Sequence, residues 1–564
     1  MKRTLHGALA LLLLTFLAAG QQADPDGETA DLESDGVFVD SVDVNVVNVD
    51  VYVTDKDGHR ITGLTRDDFE LEVGRKPVAI TNFYAVENGE AIIGGLEPVE
   101  PEPGELPERR IEPIRVPEDQ RLHLVVYVDN LNLHPFTRNR ALRQARDFLR
   151  TRMRTGDEVM LVTYERTLHT RVPFTLDPEI VATALYDIEE MSGHAVTGDS
   201  DRRDILEMIY EADSVHEVRG RATQYAESIY NDMSFTLDAL KEIVESLAGL
   251  PGRKAILYVS DGIPMRAGED IFHAVYDKFS QESSILLESH RYDLSRDYQT
   301  LTNTANANRV TFYTLEAAGL RTYSFIQASN RSAAGGPRVD QVHFSNIQNS
   351  LRFLAHETGG MAMLNTNNFA PMLDRMADDF GSYYSLGFSP ASSVSGRYHD
   401  IKVTVKGRKG IEVRHRDGYR DKPISTRMTD GTLAALHYGY QNNVFDVELR
   451  FGEMIPHDRD QWVVPLQVMI PIGKLSFLPT EEMQRGRLRL FVGAKDSEGG
   501  LSPVQDIPVA LDIPNDEIDR AREQLYQYEI KLIMRGGRQV VAVGVRDEIG
   551  AETGFVTRGV HIGA

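Results

Sequence analysis

The segment "HLVVYVDNLNLHPFTRNRALRQARDFL" (residues 123–149) joins an apolar run that ends in Asp129 to a stretch whose apolar residues have helical spacing. A short polar turn lies between the two. A buried strand, an acidic residue, a turn and a helix in this order are typical of α/β proteins, in which ligands bind beyond the carboxyl ends of parallel strands. The turn is not a phosphate-binding loop and offers no Ser or Cys nucleophile. Asp129 is therefore the first candidate for a functional residue.

The alternation of strands and helices continues on the C-terminal side of this segment. Strands are predicted at 123–129, 158–164, 254–261, 309–316, 360–365 and 382–388, with helices near 137–153, 177–191, 221–248, 346–358 and 369–380. Nearly continuous apolar strands between helices predict a mostly parallel sheet that is covered on both faces. The segment "HTRVPFT" (169–175) follows its strand too closely for a crossover helix, so it is predicted to be an antiparallel edge strand. Polar insertions at about 192–220 and 319–345 are predicted to be surface excursions near one end of the sheet.

Regions with strand-like alternation lie on both sides of the α/β region. The predicted order is a disordered segment at 21–37, a small β domain at 38–88, a Pro- and Glu-rich linker at 89–120, a doubly wound α/β domain at 121–390, a β-hairpin extension at 391–421 and a β-sandwich at 422–564. The predicted fold class is thus α/β, with a β domain on each side.

The first twenty residues have the pattern of a secretory signal peptide. Lys2 and Arg3 precede a short apolar run, and small residues stand before Gln21. No other apolar run is long enough to span a bilayer, so we expect an exported protein, periplasmic or secreted, without a transmembrane span in the mature chain.

Composition restricts the class of partner. The formal charge is −24, which argues against nucleic acid and anionic membrane surfaces, since both favour basic patches. The chain has no cysteine, which excludes disulfides, thiolate zinc sites and Cys nucleophiles. The acidic composition is compatible with a soluble protein and with divalent cations.

A second acidic residue ends another predicted strand. Asp261 follows "LYVS" as Asp129 follows "VVYV". Two carboxylates at the carboxyl edge of one sheet would suit a hard divalent cation. Alternatively, each carboxylate caps the turn or helix that follows it. Both interpretations remain open from spacing alone.

The sequence resembles the von Willebrand factor A (VWA) family, and more narrowly VWA-related bacterial proteins of the acidobacterial type. The resemblance covers about residues 40–420 and is carried by "VNVDVYVTDKDGHRITGLTRDDFELEVGRKPVAITNF" (47–83), "VVYVDNLNLHPFTRNRAL" (125–142), "LAGLPGRKAILYVSDG" (247–262), "LAHETGGMAMLNTNNFAPMLDRMADDFGSYYSLGFSP" (354–390) and "GRYHDIKVTVKGRKGIEVRHRDGY" (396–419). It implies a doubly wound sheet in which the first and fourth strands are neighbours, so that Asp129 and Asp261 meet.

In that family this position is the metal-ion-dependent adhesion site, with the pattern Asp-x-Ser-x-Ser, a Thr from a second loop and an Asp from a third. Asp129 and Asp261 match the two Asp positions, and Thr197 is the candidate for the Thr. Leu131 and Leu133 stand where the two Ser hydroxyls should be, and a Leu side chain cannot bind a cation. The resemblance therefore implies a degenerate site that either binds Mg²⁺ or another divalent cation weakly or is a metal-free remnant.

No catalytic motif accompanies these residues: the sequence has no G-x-S-x-G, H-E-x-x-H or P-loop pattern. We therefore expect a non-enzymatic interaction protein of adhesion or scaffold type. Its partner-binding face is predicted at 129–136, 192–200 and 261–266, with Asn130, Asn132 and His134 among the contacts. The alternatives are a metal-dependent hydrolase that uses Asp129 and Asp261, and a structural envelope protein whose β domains mediate assembly.

Overall fold

The computed structural model describes residues 46–87, 90–92, 121–191, 195–281, 283–321, 336–390 and 396–563. The predicted signal peptide, the predicted disordered segment and most of the predicted linker lie outside these residues. The chain divides into two compact units, of which one contains the described part of Asn45–Pro423 and the other the described part of Ile424–Ala564. No helix within the described ranges is long and apolar enough to cross a membrane.

The first described strands come from the predicted small β domain. They are β1 (Val47–Asp55), β2 (Phe69–Val73), β3 (Lys76–Val78), β4 (Asn82–Glu87) and β5 (Glu90–Ile92). The last of these pairs with β4, so the stretch predicted as a linker from residue 89 begins with a short strand.

The α/β region follows the predicted alternation. Its elements are β6 (Leu122–Val128), α1 (Pro135–Arg152), β7 (Glu158–Tyr164), β8 (Leu168–Thr175), α2 (Pro178–Glu189), α3 (Ala195–Glu211), α4 (Val215–Ser246), β9 (Arg253–Ser260), α5 (Glu269–Lys278), α6 (Ser284–Ser289), α7 (Ser295–Ala307), β10 (Val310–Glu316), α8 (Pro337–Glu357), β11 (Ala362–Met363) and α9 (Ala370–Gly381). The stretch 192–220, predicted as a polar surface excursion, instead contains α3 and the start of α4.

The strand order of this sheet is β11-β10-β9-β6-β7-β8. Pairing is parallel throughout except at β8, which is antiparallel to β7, as predicted for 169–175. The chain winds outward from β6 in one direction and from β9 in the other, which is the doubly wound topology of the predicted fold class. Residues of α1, α2 and α9 share a buried core with alternate residues of the strands, while α7 and α8 contact β10.

Four further strands complete this unit, and their pairing differs from two predictions. They are β12 (Tyr383–Phe388), β13 (Tyr398–Val405), β14 (Ile411–Arg414) and β15 (Gly418–Arg420). Placing 382–388 in the parallel sheet was wrong, because β12 pairs with β1 and β4. The prediction of a hairpin within 391–421 was also wrong, because its two strands do not pair with each other. The strand β13 pairs with β2 and β15, whereas β14 pairs with β1.

These strands form two antiparallel sheets, β14-β1-β12-β4-β5 and β15-β13-β2-β3. Apolar residues of both sheets share one core, among them Val51, Leu386, Leu71 and Val403. The α/β region is thus inserted in the chain between the strands of a β-sandwich.

The second unit begins with a helix that the sequence did not suggest and continues with the predicted antiparallel strands. Its elements are α10 (Ile424–Tyr438), β16 (Glu448–Phe451), β17 (Ile455–Asp458), β18 (Gln461–Pro471), β19 (Leu478–Pro479), β20 (Met483–Asp496), β21 (Gln505–Pro514), α11 (Ile518–Ala521), β22 (Leu525–Arg535), β23 (Gly537–Asp547) and β24 (Thr553–Ile562). One sheet is centred on β18 and the other on β20 and β23, and both contribute to one apolar core. The antiparallel C-terminal sheets of the predicted fold class are confirmed, and α10 packs on the sheet that contains β20 and β23.

Candidate functional site

The carboxyl ends of β6 and β9 lie side by side. Val128 is paired with Val259, and the Asp129 backbone N–H donates to the Val259 carbonyl at 3.0 Å. The Asp261 N–H donates to the Asn132 carbonyl at 3.1 Å. The predicted adjacency of the first and fourth strands is confirmed, and it brings both aspartates to the point at which the winding of the sheet reverses.

The Asp129 carboxylate is fully buried and receives hydrogen bonds on both oxygens. Oδ2 accepts from the Tyr258 hydroxyl at 2.6 Å, the Ser260 hydroxyl at 3.1 Å and Asn132 Nδ2 at 3.0 Å. Oδ1 accepts from Asn132 Nδ2 at 3.1 Å and from its backbone N–H at 3.3 Å. Burial raises the pKa of Asp129, although each of these hydrogen bonds favours its ionised form. The carboxylate therefore holds the loop after β6 to the end of β9.

The Asp261 carboxylate is bound by the start of α1. Oδ2 accepts from the His134 backbone N–H at 2.9 Å and from the Thr137 hydroxyl at 3.1 Å. Burial raises the pKa of Asp261 to about 6, against these hydrogen bonds and the charge of Arg321, which lower it. Asp261 thus caps the N-terminus of α1, a helix that precedes it in the chain, rather than the turn or helix that follows it.

An arginine supplies positive charge next to Asp261. Arg321 Nη2 donates to the Asp261 carbonyl, and its Nε donates to Glu316 Oε1, both at 2.6 Å. Glu316 is the last residue of β10, is fully buried, and also accepts from Gln348 Nε2 at 3.0 Å. Sequence reasoning missed Arg321 because it lies in the stretch predicted as a polar insertion. The signal available in the sequence was Glu316, an acidic residue that ends a third strand.

The predicted contact Asn130 is wrong, because its side chain is buried and therefore inaccessible to a partner. Arg138 Nη1 donates to Asn130 Oδ1 at 2.6 Å, and Arg138 Nη2 donates to the carbonyls of Glu189 and Met191 at 2.9 Å. These bonds tie the loop after β6 to the end of α2. Asn132 is also turned inward, toward Asp129, whereas His134 is partly exposed.

The described residues do not fit the divalent ion that the resemblance implies. Leu133 is fully buried in the α/β core, and Leu131 offers no ligand atom. A cation at Asp129 would have to replace hydrogen bonds from three side chains, and Asn132 presents its NH₂ group rather than its oxygen. Thr197 lies in the first turn of α3, and its side chain is outside the described residues, so its assignment stays a prediction.

Two exposed apolar side chains belong to the segments that contact Asp261. Phe136 stands between His134 and Thr137 and is 86% exposed, and Leu320 precedes Arg321 and is 63% exposed. Arg140 Nη2 donates to the carbonyls of Ala317 and Ala318 at 2.8 and 3.0 Å, which joins α1 to the loop after β10. We call residues 131–137, 261–266 and 317–321 the upper face.

No protein-family model matches the chain, and neither does any curated protein. Among solved structures, the chain is similar to an aerotolerance-related membrane protein from Bacteroides fragilis NCTC 9343, with 12% identity, a TM-score of 0.22, and coverage of 46% of this chain and 98% of that chain. BatB from Bacteroides thetaiotaomicron gives 12% identity, a TM-score of 0.22, and coverage of 46% and 96%. The pilus adhesin SpaC from Lactobacillus rhamnosus GG gives 7% identity, a TM-score of 0.25, and coverage of 78% of this chain and 52% of that chain. At these identities and TM-scores the matches assign neither a family nor an activity.

Proposed function

We propose that the chain is an exported, non-enzymatic protein of the VWA-related type that binds a protein partner through the upper face, without a bound cation. The observation that carries the proposal is Phe136, which is 86% exposed and stands in the chain between His134 and Thr137, both of which donate to Asp261. Export is inferred from the signal-peptide pattern of residues 1–20.

A single exposed apolar side chain is common on protein surfaces, so position matters more than exposure. Phe136 lies in the first turn of α1. The start of this helix is held by Asp261, and its Arg140 is held by the loop after β10. An exposed aromatic side chain on a fixed backbone, with polar groups in the adjoining chain connections, is suited to concentrate binding energy in a protein interface. The partly exposed His134 and Arg321 are such polar groups.

The same geometry argues against the hydrolase alternative. A general base or a metal-activating carboxylate must reach substrate or ion, but Asp129 is fully buried and its oxygens accept from internal donors. Asp261 alone would have to carry the chemistry, while its carboxylate already caps α1. A binding role requires no free carboxylate, because both aspartates then serve to support the loops of the upper face.

Phe136→Ala is expected to weaken partner binding by at least about tenfold, because truncating a central aromatic contact costs on the order of 2 kcal/mol or more. Phe235→Ala is the matched control, since Phe235 is 64% exposed in the middle of α4 and lies outside the upper face. The measurement is capture from an envelope fraction by immobilised wild-type and variant chains, with the captured proteins compared by mass spectrometry.

The proposal requires a protein that wild type and Phe235→Ala retain and Phe136→Ala loses. Equal retention by all three chains would contradict the placement of the binding face. Since both side chains are exposed, both variants are expected to keep the wild-type Tm, which separates lost binding from lost folding.

A further inference from the structure

A second group of ligand-type side chains lies away from the upper face. His356 and Glu357 are the last residues of α8, and Asp417 lies between β14 and β15. One ligand atom of each, an imidazole nitrogen and two carboxylate oxygens, all lie within 4.8 Å of one another. Two atoms bound to one ion at about 2.0–2.2 Å lie at most about 4.4 Å apart, so these three atoms are close to the spacing that a shared ion requires.

The backbone holds these residues together. The Asp417 N–H donates to the Glu357 carbonyl at 3.1 Å, and the Asp417 carbonyl accepts from the Ile401 N–H at 2.8 Å. Gly359 has φ of 79°, and a Cβ there would lie 2.6 Å from the His415 carbonyl carbon. The chain therefore turns after α8 in contact with the strand connection that carries Asp417, so the three side chains do not depend on loop closure to meet.

The charges around Asp417 favour a cation. The Asp417 carboxylate lies close to that of Glu357, and Asp400 adds a further negative charge nearby. The C-terminus of α8 adds the negative end of a helix dipole. A divalent ion would offset this negative charge and satisfy the two carboxylates and the imidazole at once.

We propose that His356, Glu357 and Asp417 bind one divalent transition-metal ion such as Zn²⁺ or Mn²⁺, with water at the remaining coordination positions. An imidazole nitrogen together with carboxylate oxygens suits these borderline ions, and the absence of cysteine from the sequence removes the thiolates that softer ions require. The bound ion links the end of α8 in the α/β region to the β14–β15 connection of the sandwich. It therefore stabilises the junction between two parts of the same compact unit.

A turn near the start of the chain provides a matched control. Asp55, Asp57 and His59 also bring three ligand atoms within 4.8 Å. However, Asp55 Oδ1 already accepts from the backbone N–H groups of Asp57 and His59, at 2.9 and 2.8 Å, and Oδ2 lies 3.2 Å from His59 Nδ1. That cluster also has one His and two carboxylates, but Asp55 already accepts from donors of its own turn. His59→Ala is therefore expected to leave metal binding unchanged.

The experiment is calorimetric titration of Zn²⁺ into the full chain, free of affinity tag and chelating buffer, with Tm measured in parallel. Wild type and His59→Ala are expected to show one saturable site and a Zn²⁺-dependent rise in Tm. In His356→Ala and Asp417→Asn the affinity is expected to fall by at least about tenfold, in the range seen when one metal-site interaction is removed. His356 is exposed, so His356→Ala is expected to keep the metal-free Tm of wild type.

Wild type without a saturable Zn²⁺ site, or His356→Ala with wild-type affinity, would overturn the proposal. Loss of binding in His59→Ala instead of His356→Ala would also overturn it, because the ion would then lie in the Asp55 turn. None of these outcomes bears on capture of a protein by the upper face, so the two proposals fail independently.

Discussion

Tyr127 and Tyr258 lie opposite each other on β6 and β9, both fully buried. The Tyr258 hydroxyl donates to Asp129 at 2.6 Å, whereas the Tyr127 hydroxyl has no hydrogen-bond partner among the described residues. The two rings are 5.6 Å apart, so they share nearly the same surroundings. Comparing substitutions at the two positions therefore separates the stability contributed by a hydrogen bond to Asp129 from that contributed by burying an aromatic ring.

Tyr258→Phe is expected to lower the free energy of unfolding by about 1–3 kcal/mol, because it removes one donor from a buried carboxylate. Tyr127→Phe removes a buried hydroxyl that has no acceptor, so the expected change is within about 0.5 kcal/mol. Chemical denaturation of both variants measures the difference. Equal losses of stability in the two variants would mean that the Tyr258 hydrogen bond does not stabilise the buried Asp129 carboxylate.

At this scale, sequence reasoning located the two aspartates but not their donors. Asp129 and Asp261 were found because each ends an apolar run, and strand ends of a doubly wound sheet share one edge. Tyr258 and Ser260 belong to an apolar run in which every residue is buried, so no alternation showed which side chains face Asp129. Thr137 and Arg321 contact Asp261 from the next helix and from a distant loop, which requires tertiary structure.

An arginine whose side chain is only 13% exposed connects the helices beside the α/β sheet. Arg202 of α3 donates from Nε to Asp270 of α5 at 2.6 Å and from Nη2 to Asp340 of α8 at 3.4 Å. The side chains of the two aspartates are no more than 5% exposed. Arg202 holds the pKa of Asp270 well below its usual range, since a buried carboxylate is stabilised by an adjacent cation.

Arg202→Met is expected to lower the free energy of unfolding by about 3–5 kcal/mol, because it leaves two buried carboxylates without their guanidinium partner. Arg150→Met provides a matched comparison, since Arg150 pairs with Glu179 through two short hydrogen bonds in an exposed setting. A much smaller loss is expected there, because water solvates either partner alone. Equal losses in urea denaturation would mean that Arg202 is as dispensable as a surface arginine.

The helices within residues 195–220 were missed because the segment is rich in charged residues. Its apolar residues nevertheless recur at helical spacing, and α3 with the start of α4 contributes Ile205, Leu206, Ile209, Ala212, Val215 and Val218 to a core shared with α5. Deleting the segment would therefore remove part of a core, so substitutions such as Phe136→Ala are better tests of the upper face.

Strand 382–388 was assigned to the wrong sheet because all its residues are buried, and burial alone does not identify the neighbouring strand.

At the scale of the whole unit Asn45–Pro423, one buried arginine joins the α/β region to the sandwich into which it is inserted. Arg253 begins β9, and its side chain donates to Asp50 at 3.2 Å, to the Tyr52 hydroxyl at 2.7 Å and to the Phe380 carbonyl at 3.0 Å. The doubly wound sheet could be predicted because its signals are local and ordered along the chain. The composite sandwich could not, because its strands are separated by the entire α/β region.

The central claim is that the carboxylates of Asp129 and Asp261, beyond the carboxyl ends of β6 and β9, are bound by the chain's own donors and do not bind a cation. Mg²⁺ titration of His356→Ala, compared with the double variant His356→Ala, Asp261→Asn, tests it without interference from the second group of ligand-type side chains. We predict no saturable heat at millimolar Mg²⁺ in either protein. A saturable Mg²⁺ site in His356→Ala that disappears when Asp261 is replaced would contradict the account.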